Sequence, residues 1–481
     1  MENDQAFEAE ADIEAFERAD TRVRQRSSHT GHDLAKTALG GFETEEARSD
    51  ERSPLLSRDD GEDRDTVTSP MLGALSDRYG RTRMISLSTV GVLIYETATI
   101  CVAKYPDVLS VRWILVGFFF DGLGGSFISA MALSYAYASD CTIPGKRNVV
   151  FGYYHGSLFA GIALGPILAG YVVKATGEIL TVFYIVLGMH TAFCLFILLV
   201  VPESLSKERQ LKARERKKGE NDNSGVSQTW LSRSAKVLKG GNLLAPLAIL
   251  WPTEPGTNPD VRHNLALLAA VDGTMFGVAM GSMTIVILYS EYAFDWGNFE
   301  TSVFVSIVNI CRVITLLVLL PVITRVLRGP ASGRSKRNSG SDKIDLGIIR
   351  TAILFDMLGY VGYTLVRTGP LFILCGAVAA IGGMGSPTIQ AALTKHVPQD
   401  RTGQVLGAMG LLHASGRVVA PAIFNLIYAT TVGKFTQTVF VCLSATFGFA
   451  FVLSWFIKPG VYWDEPHRQP KSSRGIEDND E

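Results

Sequence analysis

Organised cysteine chemistry is absent from this chain. Its six cysteines (Cys101, Cys141, Cys194, Cys311, Cys375 and Cys442) are scattered through 481 residues, with no CxxC pair and no Cys/His cluster. Neither a metal site nor a disulfide framework is indicated. Charge is scarce as well: 19% of residues are charged and the net charge is −1, against about 25% charged residues in a soluble domain. That balance gives no footprint for nucleic acid. No Gly-Lys-Ser/Thr phosphate loop and no Asn-x-Ser/Thr sequon occur. No nucleophile–base set is visible, so neither an enzyme nor a cofactor is expected. The N-terminus lacks a basic region followed by an apolar one, so no cleavable signal peptide is expected.

What the chain has is apolar runs of about 20 residues, long enough to cross a hydrocarbon core as helices. Ten spans are expected: Met84–Ala103, Val111–Tyr137, Val150–Val173, Leu180–Val201, Leu265–Tyr289, Ser302–Val326, Leu346–Val366, Leu371–Leu393, Gln404–Thr431 and Phe435–Ile457. Basic residues gather in alternate loops: Arg78, Arg81 and Arg83, then Lys146 and Arg147, then Lys207 to Lys218, then Arg325 to Arg337. By the positive-inside bias both termini are expected in the cytoplasm. Residues 1–70 form an acidic, disordered tail in this reading. Residues 71–201 and 265–457 form two helical halves, joined by a charged linker over 202–264 and followed by a tail over 458–481. Within the linker, Leu243–Trp251 is apolar but too short to cross. An interfacial helix and a poorly patterned linker are both open readings of it.

An offset of 255 residues superposes Gly152 on Gly407, Gly161 on Gly416 and Pro166 on Pro421. Two related halves follow from it.

The stretch Gly73-Ala74-Leu75-Ser76-Asp77-Arg78-Tyr79-Gly80-Arg81-Thr82-Arg83 precedes the first span. It resembles the loop between the second and third helices of the major facilitator superfamily. A glycine-rich turn can bridge helix ends there, and a carboxylate such as Asp77 is favoured at a helix N-terminus. The resemblance implies an all-α membrane protein with two pseudo-symmetric half-bundles. It also implies that Gly73, Asp77, Arg78, Gly80 and Arg81 help to hold one face closed during alternating access. Two spans precede this loop in the family, and residues 1–70 contain neither, so ten spans stand where twelve are expected. Two readings stay open: a sequence lacking part of a twelve-span protein, or a ten-span product that transports poorly.

A second motif, Gly156-x8-Gly165-Pro166-Ile167-Leu168-Ala169-Gly170, resembles the fifth-helix motif of antiporters in the superfamily. Proline bends a helix and glycines admit close neighbours. Gly152, Gly156 and Gly170 share one side, Gly161 and Gly165 the other, so tight packing on two sides is expected. Charges inside apolar runs cost about 2.5–3.5 kcal/mol each and face a cavity or a partner. Asp121 and Asp272 fall in the spans that would be the fourth and seventh helices, which line the cavity in the family. Arg112 is similar to the family's fourth-helix arginine linked to proton coupling. His413 and Arg417 share a helical face, in His413-Ala-Ser-Gly-Arg417-Val-Val-Ala-Pro421, which resembles the eleventh helix of the zinc-induced-facilitator-like and related fungal vacuolar branch. These five are the candidates for substrate or proton contact. Glu96, Arg312 and Asp356 are expected to be structural. Glu51-Arg52-Ser53-Pro54-Leu55-Leu56 fits an acidic dileucine sorting signal through Glu51, Leu55 and Leu56.

The resemblance implies a secondary transporter of a small organic solute or metal chelate, proton-coupled and antiporting, with a drug:proton antiporter character. A monomer in the lipid bilayer is expected, with the vacuolar membrane favoured and the plasma membrane left open. The alternative is a non-transporting membrane sensor or transporter remnant.

Overall fold

A computed structural model describes residues 62–223, 245–253, 258–329 and 340–463. The sorting signal at Glu51, Leu55 and Leu56 lies outside these residues, as do most of the acidic tail and residues 464–481. Helices account for nearly all the described chain, and no strand occurs among the described residues. Nine helices there are long and apolar enough to cross a membrane. The remaining expected span, Leu346–Val366, is the 23-residue helix Lys343–Leu365, which carries Arg350 and Asp356 inside its apolar run.

The order is α1 (Glu62–Tyr79), α2 (Arg81–Lys104), α3 (Trp113–Leu123), α4 (Ser126–Cys141), α5 (Arg147–Thr176), α6 (Leu180–Leu199) and α7 (Lys207–Asn223). It continues with α8 (Pro259–Phe294), α9 (Asn298–Ile314), α10 (Leu320–Arg328), α11 (Lys343–Leu365), α12 (Gly369–Ile381), α13 (Gly385–His396), α14 (Thr402–Thr431) and α15 (Thr438–Trp455). Three pairs make single spans: α3 with α4, α9 with α10 through a π turn at Thr315–Leu319, and α12 with α13. Helices α5 and α14 run unbroken through Pro166 and Pro421.

Three local expectations change. Residues 62–70, placed in the disordered tail, belong to α1, which continues to Tyr79 with Pro70 inside it. The motif is therefore a helix, a one-residue turn and a helix. Gly80 makes that turn at φ 106, a left-handed conformation that a side chain resists. In the linker, Ala245–Leu250 is a 3₁₀ turn whose Leu250 joins the largest apolar cluster, with Leu247 and Ile249 packed against it. It packs against the bundle.

The third change concerns α5. A Cβ on Gly152 would stand 2.7 Å from Leu320, and one on Gly156 2.6 Å from Leu317. Gly161, Gly165 and Gly170 have nothing within 4 Å of that position. Tight packing on two sides is not observed. The helix meets the other half through Gly152, Gly156 and Phe159, with Arg147 and Asn148 crossing over at its start, and Gly161, Gly165 and Gly170 face open space. Gly407, the repeat partner of Gly152, likewise approaches the opposite half: a Cβ there would stand 2.9 Å from Pro70 and Ser69.

Candidate functional site

Two polar assemblies interrupt the apolar bundle. The first lies at the end that carries the motif. Arg81 is fully buried; its guanidinium meets Asp77 at 2.7 Å, Asp140 at 3.0 Å and the Ser76 hydroxyl at 2.6 Å. Glu203, just after α6, accepts the Arg81 amide at 2.8 Å and the Thr82 hydroxyl at 2.8 Å. Asp77 then reaches the other half, accepting the amides of Gly403 at 3.2 Å and Gln404 at 3.1 Å. Those amides are the free donors of the first turn of α14, where a carboxylate is favoured by both hydrogen bonding and the helix dipole. Burial pushes the Asp77 carboxyl up to about 6, against the pull of Arg81. Gly73 lets α1 and α14 touch: a Cβ there would lie 2.2 Å from the Gly403 carbonyl. The Arg78 carbonyl accepts Arg214 at 3.0 Å.

The same end carries a second crossing. Arg147 donates to the Thr394 carbonyl at 3.1 Å and hydroxyl at 3.2 Å, and Asn148 to Thr324 at 3.1 Å. Beside it Asp345 accepts Lys395 at 2.5 Å and also Arg328, which bonds the Gly145 carbonyl. Burial alone would raise the Asp345 carboxyl, but Lys395 and Arg328 outweigh it and hold it below the ordinary value.

The second assembly sits midway along the spans. Asp272, fully buried in α8, accepts Gln390 Nε2 at 2.7 Å and the Ser386 hydroxyl at 3.1 Å, both from α13. His413 Nε2 of α14 stands 2.8 Å from the same carboxylate. The imidazole is stacked on Phe276 at 4.2 Å, which fixes its plane. Opposite, from the first half, the Tyr135 hydroxyl bonds His155 Nδ1, and Tyr135 stacks on Phe151 at 4.5 Å. Tyr135 and Phe151 share a cluster with Ala391, the neighbour of Gln390. Asp272 lies within electrostatic reach of both Tyr135 and His155, and His413 and Arg312 within reach of His155.

The five predicted contact residues thus separate. Asp272 and His413 are brought together. Asp121 hydrogen-bonds Ser126 and is electrostatically coupled to Arg417 across the halves. Arg112 is exposed at the start of α3, and no hydrogen bond or ion pair joins its side chain to the others. Of the three residues expected to be structural, Glu96 pairs with His190 at 2.6 Å, and Asp356 faces Arg312, whose guanidinium covers Phe159 at 5.0 Å. Sequence reasoning missed Ser386 and Gln390 as partners of Asp272. A glutamine inside an apolar run was their only signal. It also left Tyr135 aside, because a tyrosine among apolar residues looks like packing.

The family model of the Major Facilitator Superfamily matches residues 65–340. The chain is 30% identical over 398 residues to the MFS-type transporter avaJ of Aspergillus versicolor, covering 81% of this chain and 74% of that one. The chain belongs to the Major Facilitator Superfamily. Among more distant relatives, a class H tetracycline resistance protein of Pasteurella multocida is 23% identical, with 76% of this chain and 77% of that one covered. The fold is similar to that of the human organic anion transporter MFSD10, with a TM-score of 0.63 at 17% identity over 89% of each chain. It is also similar to FucP in its outward conformation, with a TM-score of 0.58 at 12% identity over 84% of this chain and 91% of that one. The facilitator fold makes the protein a multi-pass membrane protein of a transporter family. It places the Asp272 assembly between the two half-bundles.

Proposed function

We propose that this facilitator is a proton-coupled antiporter of a small organic solute or metal chelate, and that Asp272 and His413 carry the exchanged proton. The observation behind this reading is the carboxylate–imidazole contact of 2.8 Å at the centre of the bundle. A carboxylate and an imidazole at that separation share one proton. With the proton the pair is an ion pair, and without it a lone carboxylate is left, stabilised by Gln390 and Ser386. A lone charge at that depth is costly, about 2.5–3.5 kcal/mol on insertion scales. A solute group that pairs with either member therefore competes with the proton, which is the exchange that antiport requires. Asp121 with Arg417 is a second charge pair across the halves and a candidate for solute contact. Arg112 and the glycine motif of Gly156, Gly161, Gly165, Pro166 and Gly170 stay in the proposal as family-implied elements, with Pro421 their counterpart in the second half.

The hydrogen bonds that join the two halves at the motif end support a conformation closed on that side. We place that closed end in the cytoplasm, on the basic residues of its loops, with both termini there. A monomer in the vacuolar membrane is the working assignment.

Reconstituted vesicles holding a pH-reporting dye test the reading, with tetracycline as the first solute and a panel of small organic ions after it. Uptake driven by an acid interior, abolished by a protonophore and by Asp272→Asn with unchanged protein level, is expected. Uptake indifferent to both would refute the proton role.

A further inference from the structure

We infer that residues 457–463, which follow the last helix, form a strap that positions the first turn of α14 for Asp77 and so helps to keep the motif end closed. After α15 the chain turns back across the ends of four elements of the second half. Asn264 of α8 imitates a peptide group toward it: its Nδ2 donates to the Lys458 carbonyl at 2.7 Å and its Oδ1 accepts the Lys458 amide at 3.0 Å. The Lys458 ammonium pairs with Asp260 at 2.7 Å. The Gly460 amide donates to the Ser341 carbonyl, ahead of α11, at 2.9 Å, and the Trp463 amide to the His396 carbonyl, ending α13, at 3.0 Å. Gly340, at φ 77, has room for no side chain: a Cβ would lie 2.0 Å from the Val461 carbonyl oxygen. Its own amide bonds the Lys395 carbonyl at 3.1 Å.

Trp463 connects this strap to the latch. The indole is 3% exposed and belongs to the main apolar cluster, and the Arg401 guanidinium lies 4.4 Å over it. Arg401 immediately precedes α14, and Gly403, two residues on, gives its amide to Asp77. One turn of chain is thus held from its own half by Trp463 and from the other half by Asp77. A cation over an indole fixes position better than a lone apolar contact, because both the face of the ring and the guanidinium plane are set. Asp77 needs two amides in fixed places, and hydrogen bonds weaken steeply with misalignment. Freeing Arg401 therefore degrades the Asp77 contacts without touching Asp77. The spans need not change, since Trp463 lies at their ends.

The test uses the full chain in lipid nanodiscs, with exposed Cys141 replaced by serine and Ser69→Cys as the reporter. Ser69 is 2% exposed, against Gly410 of α14, so its reaction with a bulky maleimide reports parting of α1 from α14. Asp77→Ala, which removes both acceptor oxygens, serves as the reference for a weakened latch. Trp463→Ala and Asn264→Ala are expected to raise the labelling rate roughly three- to tenfold, as loss of one or two hydrogen-bond-sized contacts would. Trp463→Phe should fall between them and the parent. Arg401→Lys, which keeps the charge and loses the stacking plane, provides a milder variant should Trp463→Ala fail to fold. Unchanged melting and an unreactive, buried Cys194 exclude general loosening. Parent-like labelling in Trp463→Ala, Asn264→Ala and Arg401→Lys overturns the strap, as does parent-like labelling in Asp77→Ala. No solute enters the measurement, so its outcome is separate from that of the antiport reading.

Discussion

Asp272 shows how one side chain carries several consequences. It has three partners, and each removal leaves a different debt. Asp272→Ala strands Gln390, Ser386 and His413, and a buried group without a partner costs about 1–3 kcal/mol, so lower thermal stability as well as lost solute exchange is expected. Asp272→Asn keeps the shape and a single acceptor oxygen, so melting should stay near the parent while exchange falls to background. Comparing the two melting curves separates the structural from the coupling role. Asp77 carries a pH sign. Its carboxyl stands near 6 in the closed latch, and about 3.9 is ordinary for a solvated aspartate. The closed form therefore binds this proton more tightly than an opened one. Closure is favoured as pH falls through about 6 and is weakened as pH rises past it. Distances between spin labels on the two halves at the motif end should shorten on acidification through that range, and Asp77→Asn should flatten the response.

At the scale of elements, glycines separate what is packed from what is not. A methyl at Gly73 would meet backbone, the Gly403 carbonyl at 2.2 Å, which cannot rotate away. Overpacking of this kind costs about 1–3 kcal/mol, so Gly73→Ala should lift α1 from α14 and lower the melting temperature. Gly161→Ala meets nothing within 4 Å, and alanine is the better helix former by roughly 0.8–1.0 kcal/mol. That variant should melt at or above the parent. Equal effects of the two substitutions would contradict the one-sided packing of the bundle. The fifth-helix motif was legible in sequence as a run of glycines and a proline, yet only Gly156 of its glycines makes a close contact, with Gly152 ahead of the motif. Small residues permit approach, and whether a neighbour approaches depends on helices far away in the chain.

For the whole molecule, the two halves touch chiefly through α1 and α4 on α14 and through α5 on α9 and α13. The reporter position also offers a lock. A Cβ on Gly410 would stand 3.2 Å from that of Ser69, slightly inside the usual disulfide range of about 3.5–4.5 Å. Ser69→Cys with Gly410→Cys should cross-link on oxidation, arrest solute exchange and recover it on reduction. Full activity in the cross-linked protein would show that these helices need not part.

Sequence alone determined the class of the molecule. Apolar runs of spanning length admit only helices in lipid, because every backbone group must be paired within its own segment. The spacing of Gly73, Asp77, Gly80 and Arg81 marked the superfamily, and the basic loops suggested an orientation. Tertiary structure decided the partners. Asp272 and His413 lie 141 positions apart, Asp77 and Gly403 lie 326 apart, and no local pattern encodes which buried charge finds which donor. Periodicity fixes the face a residue occupies along its own helix, whereas pairing depends on how helices from both halves converge. For that reason Gln390, Tyr135 and Trp463 were invisible as functional candidates until the bundle placed them beside Asp272, His155 and Arg401.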